Sequence, residues 1–194
     1  MKIKCKNVIF SASVPFFAVC AFFLAGDMRL NFAFAMLFSA LHETGHILAL
    51  LFYGRKPRNI TFGFSGIRIE ADSASLSYRQ ESIVALCGPA VNLIFIIFFL
   101  LTDISQTALI INTGLFVVNM MPVKSLDGGR FISGLLSVFL DEKRVIVIMN
   151  ILAIVTAVVL ILIMILSLVT GFVNTSFVLF AVFLVLVIIS ELIL

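Results

Sequence analysis

Apolar residues run through this chain in long uncharged blocks, separated by short segments that carry nearly all of its charge. Six blocks read as membrane-spanning helices, at about 8–25, 31–53, 82–101, 107–121, 145–170 and 173–193. Most approach the ~20 residues that a hydrocarbon slab requires. The fourth is short and stops at Pro122. Broken backbone at membrane depth is tolerated only where it is buried in protein or lines a wet cavity. That marks 122–129 as the neighbourhood of a site.

Residues 55–81 follow a different period. Ile60, Phe62 and Phe64 alternate with Thr61, Gly63 and Ser65; Ile67, Ile69 and Ala71 alternate with Arg68, Glu70 and Asp72. Alternation on both sides of Ser65-Gly66 predicts a small β-hairpin between the second and third helices. The expected architecture is an all-α polytopic membrane protein with about six transmembrane helices and that one hairpin. A chain of 194 residues has room for a single domain, 1–194.

Composition supports the membrane reading. Hydrophobic residues make up 62% of the chain and charged residues 12%, against about half and a quarter in soluble domains. Lys2, Lys4 and Lys6 ahead of the first block imitate a signal peptide, but no small-residue cleavage motif follows, so the block is expected to be a retained anchor. Of the 13 Lys and Arg, all but Arg29 fall on the side that holds both termini. The positive-inside rule then makes both termini cytoplasmic. No helix carries a basic face, which argues against nucleic acid as a partner. Cys5, Cys20 and Cys87 are odd in number and far apart, so no disulfide framework is implied.

Both histidines of the chain lie in His42-Glu43-Thr44-Gly45-His46, inside the second block. Four residues apart on a helix, two imidazoles project from one face and can share a zinc ion. Glu43 stands beside the first of them, placed to serve as a general base. The same short pattern occurs by chance in solvated helices. Here it lies near the middle of an apolar span, where ionisable groups without partners are costly. A catalytic zinc takes three protein ligands and keeps one position open. Asp127, in Asn119-Met120-Met121-Pro122-Val123-Lys124-Ser125-Leu126-Asp127-Gly128-Gly129-Arg130, is the best candidate for the third ligand. Taken alone, an Asp-Gly pair is as readily a turn.

HExxH on the second helix, N-x-x-P-x-x-x-L-D-G far downstream, and Gly88-Pro89-Ala90-Val91-Asn92 at the start of the third helix together resemble the site-2 protease family of intramembrane metalloproteases. The resemblance covers nearly the whole chain. It implies one zinc ion per chain held by His42, His46 and Asp127, with Glu43 as catalytic base and Asn119 lining the active site. It also implies hydrolysis of a peptide bond within or near the transmembrane segment of a membrane-protein substrate, in regulated intramembrane proteolysis. The partners would be that substrate and the lipid bilayer. The setting would be the cell (inner) membrane of a prokaryote. Met120 departs from the family, which often has Pro directly after the Asn. No PDZ-like insertion or cystathionine-synthase-like (CBS) domain is evident. Prenyl-type intramembrane proteases usually use Glu as third ligand, which Asp127 disfavours. The rival from another class is a transporter or channel using the His/Glu cluster as a proton or ion relay. The pattern selects no oligomeric state.

Overall fold

The computed structural model describes residues 2–5, 8–12, 29–55, 57–63, 66–71, 76–171 and 175–193. Among them are six helices: α1 Arg29–Phe52, α2 Tyr78–Thr102, α3 Gln106–Asn119, α4 Asp127–Leu136, α5 Glu142–Val169 and α6 Thr175–Ile193. By length and composition α1 (from Leu30), α2 and α5 can cross a membrane; α3 and most of α6 are apolar but shorter. These helices fall where five of the expected spans lie.

Local chemistry sets their ends. Ser77 caps α2 reciprocally with Gln80: the Ser77 Oγ accepts from the Gln80 N–H at 3.3 Å, and the Gln80 Oε1 accepts from the Ser77 N–H at 3.0 Å. Asp103 closes α2 in the left-handed region, φ 50°. Ser105 then caps α3, its Oγ accepting from the Ala108 N–H at 3.2 Å.

The N-terminus differs from the expected first span. Val8–Ala12 is a strand, β2, not the beginning of a helix; it pairs antiparallel with β1, Lys2–Cys5. The rest of that expected span, 13–25, lies outside the described residues, and so do the turn residues 64 and 65. The strands expected between α1 and α2 form as an antiparallel pair, but within a larger sheet. β3 (Pro57–Gly63) and β4 (Gly66–Ala71) run antiparallel, with Ile60 opposite Ile69 and Phe62 opposite Ile67. β3 also pairs in parallel with β2, so the four strands make one sheet in the order β1-β2-β3-β4. The physical reason is edge pairing: a two-stranded ribbon leaves a row of unpaired amides, and the N-terminal strand takes up one such row. The α4 helix is likewise absent from the sequence-based reading, being too short and too Gly-rich to show as an apolar block.

α1 packs on α2, and α2 packs on α3 and α4. The first contact is close because Gly45 lies against the Cys87 carbonyl of α2, where a Cβ would overlap backbone. Phe38 packs its ring 5.7 Å from those of both Phe95 and Phe99. The α5–α6 pair holds a second core, in which Ala153 and Leu160 meet Leu184 and Ile188 around the wholly buried Val123.

Burial is inverted relative to a soluble domain. Leu100 is 63% exposed and Leu162 59%, whereas the polar Asn92 and Asn112 are 1% and 0% exposed. A water-facing surface of that kind would be an aggregation liability; facing lipid, it is the expected exterior. The protein is an integral membrane protein by this pattern.

The Gly45 contact generates a prediction. Gly45→Ala should destabilise the α1–α2 pair by about 1–3 kcal/mol, as overpacking a filled contact does. Thermal unfolding in detergent would show this as a lowered midpoint; an unchanged midpoint would mean that the two helices are not held this closely.

Candidate metal centre

Two elements deliver the three residues. α1 carries His42 and His46 one turn apart on the face turned to α2, and both are buried. α4 brings Asp127 in its first turn, at 8% exposure. The Asp127 Oδ2 lies 2.8 Å from the His42 Nε2 and 3.2 Å from the His46 Nε2, and the two Nε2 atoms are 3.1 Å apart. The sequence thus named three residues, from positions 85 apart in the chain, that the fold brings to one point.

The far side of each imidazole fixes its chemistry. The His46 Nδ1 donates to the Val84 carbonyl at 2.8 Å. A carbonyl only accepts, so the proton of the neutral ring is on Nδ1 and Nε2 carries a lone pair. The His42 Nδ1 meets the Asn92 Oδ1, with the same consequence. Two bare nitrogens and a carboxylate oxygen therefore converge, an arrangement that a shared cation would satisfy. Ligand distances of ~2.0–2.1 Å in a tetrahedral zinc site place ligand atoms about 3.3 Å from one another. The observed separations of 2.8, 3.1 and 3.2 Å are somewhat shorter than this, and the donors are two imidazoles and a carboxylate, as zinc takes. His42, His46 and Asp127 are thus a group able to hold a metal ion.

Gly88 makes the geometry possible from the α2 side. A Cβ at this position would overlap the Nε2 of His46 and lie 2.7 Å from that of His42. The α2 backbone is thereby the wall against which the imidazoles rest.

The loop between α3 and α4 sets the third ligand. It turns through Val123 N–H to the Met121 carbonyl at 2.9 Å and Leu126 N–H to the Val123 carbonyl at 2.9 Å. Val123 anchors it in the α5–α6 core. Beside it, the Lys124 Nζ donates to the Asn150 Oδ1 of α5 at 2.8 Å, and the Ser125 N–H donates to the Glu191 Oε1 of α6 at 3.0 Å. Gly128 and Gly129 let α4 begin against the Met120 and Val123 carbonyls, which any Cβ would strike. The other Asp127 oxygen, Oδ1, faces Arg130 at 3.6 Å.

Glu43 is half-buried and interacts electrostatically with His46, His42, Asp127 and Arg130. Asn119 is placed differently from the ligand set: its Nδ2 donates to the Leu115 carbonyl of its own helix at 3.0 Å. Asn112 and Arg130 were not singled out as site residues, and Asn92 only as part of a motif. The signal for the two Asn residues was present, since an amide inside an apolar span needs a partner there.

No protein-family model matches the chain, and no curated protein matches it by sequence. Among solved structures, the chain is similar to the site-2 protease from Methanocaldococcus jannaschii, with a TM-score of 0.68 at 18% identity, over 98% of this chain and 94% of that one. At that identity the likeness establishes a shared fold.

Two substitutions probe the centre. Asp127→Ala should reduce bound zinc. Gly88→Ala, which drives a methyl into both rings, should weaken zinc binding about 10-fold or more, the scale typical of disturbed ligand support. Competition with a graded chelator measures both; wild-type affinity in Gly88→Ala would contradict the packing described.

Proposed function

We propose that this protein is an intramembrane zinc endopeptidase of the site-2 protease type, cutting a peptide bond within or near the transmembrane segment of another membrane protein. The convergence of the His42, His46 and Asp127 donor atoms midway along a spanning helix carries this reading. The shared fold supports it. A proton or ion relay spaces its groups along a path; these three meet at one point.

His42, His46 and Asp127 would hold the zinc, which when bound supplies Lewis-acid polarisation of a carbonyl and acidification of water. Glu43 takes the proton of the attacking water and delivers it to the leaving amine nitrogen. A helical peptide bond is shielded by its own turn, so a substrate helix must unwind before it is cut. β4 is paired on one side only among the described strands and runs against α1. Its open edge offers an unwound segment a strand partner by β-addition. The positive-inside rule, applied to Arg55, Lys124 and Arg130, supports a cytoplasmic position for the sheet and the α3–α4 loop, in what would be a prokaryotic cell membrane. Asn119, one residue before that loop, would line the substrate path.

Glu43→Gln separates binding from chemistry. It should retain zinc while cleavage of a co-expressed membrane substrate falls by about 10²-fold or more. Cleavage at the wild-type rate would sink the enzyme assignment.

A further inference from the structure

We propose that Asn112, whose side chain hydrogen-bonds to Asn92 and not directly to the candidate metal-binding residues among those described, is a positioning residue for His42. It would act through Asn92 by fixing which nitrogen of the imidazole faces the metal. This rests on the reading of His42 as a zinc ligand.

The argument follows hydrogen-bond polarity. Asn112, on α3, is wholly buried. Its Nδ2 donates to the backbone carbonyl of Asn92 on α2 at 2.8 Å. A backbone carbonyl has no proton to give, so the Asn112 atom there must be the NH₂ group, and its other end is the oxygen. That oxygen accepts from the Asn92 Nδ2 at 2.6 Å. Asn92 is then fixed in turn: with its NH₂ committed to Asn112, its Oδ1 faces the His42 Nδ1. An amide oxygen only accepts, so His42 must carry its proton on Nδ1 and keep Nε2 bare toward Asp127 and His46. One unambiguous acceptor in the α2 backbone thus orients two amides and an imidazole across three helices.

Were Asn92 free to rotate by half a turn, its NH₂ would face His42 Nδ1. A neutral ring would then accept at Nδ1 and place its proton on Nε2, where the metal must bind. His46 depends on no such chain, because the Val84 carbonyl can only accept. The two ligands are therefore supported by different means, and Asn112 should matter to one of them alone.

The test uses zinc-loaded protein in detergent, with histidine as the only nitrogen-15-labelled residue. The chain has two histidines, so the wild type should show two protected Nδ1–H signals. Asn112→Leu should lose or broaden the His42 signal, keep the His46 signal, and weaken zinc binding about 10-fold or more, as loss of outer-shell support usually does. Asn92→Asp in the Asn112→Leu background should restore both signal and affinity, because either carboxylate oxygen accepts and no wrong rotamer exists. Asn112→Asp is nearly isosteric and, kept as the neutral acid in this wholly buried site, preserves both bonds, its C=O accepting from the Asn92 Nδ2 and its O–H donating to the Asn92 carbonyl; it should retain both signals, which covers the case in which the leucine variant fails to fold. Unchanged signals and affinity in Asn112→Leu, no rescue in the double variant, or loss of the His42 signal in Asn112→Asp would each overturn the relay. A wild type that binds no zinc would overturn the metal reading itself, which distinguishes the two failures.

Discussion

Two imidazoles and a carboxylate meet in the apolar interior of a helix bundle, and that convergence governs the rest of the structure. Each group would be expensive to bury alone. Together, with the protons of both rings held on Nδ1, they present three lone pairs to one point, where a shared cation would satisfy them all. Much of the surrounding chain serves this arrangement. Gly45 brings α1 against α2, Gly88 clears room for the rings, and Val84 and Asn92 hold their outer nitrogens.

Asp127 arrives by a different route. α1 and α2 supply a rigid frame, but Asp127 stands at the end of a loop that must enter the bundle from between helices. The loop is fastened by an apolar plug, Val123, and by two polar ties, Lys124 to Asn150 and Ser125 to Glu191. All three lead to α5 and α6. The C-terminal helix pair thus determines where the carboxylate stands, although neither helix contributes a ligand. A displacement of α6 would be felt at Asp127 through Glu191 and Val123.

Much of the site was legible in the chain. A four-residue histidine spacing within an apolar block has few uses, and the Asp-Gly-Gly element after a truncated helix has few more. The helices of the bundle were legible for the same reason, since a long uncharged run has one stable form in lipid. The N-terminus was not. Residues 8–12 are as apolar as a span, and hydropathy alone cannot tell a helix from a strand that finds a partner about fifty residues away. Asn112 escaped for a related reason. Its role depends on where α3 lies against α2, which no local pattern states, while Asn119 attracted attention through motif resemblance and bonds within its own helix.

The converging donors lead to one central proposal: His42, His46 and Asp127 would hold a single zinc ion. Metal analysis of the purified protein, wild type against His46→Ala, tests it most directly. About one zinc per chain in the wild type and little in the variant is the predicted result. Zinc absent from both, or equal in both, would contradict the account.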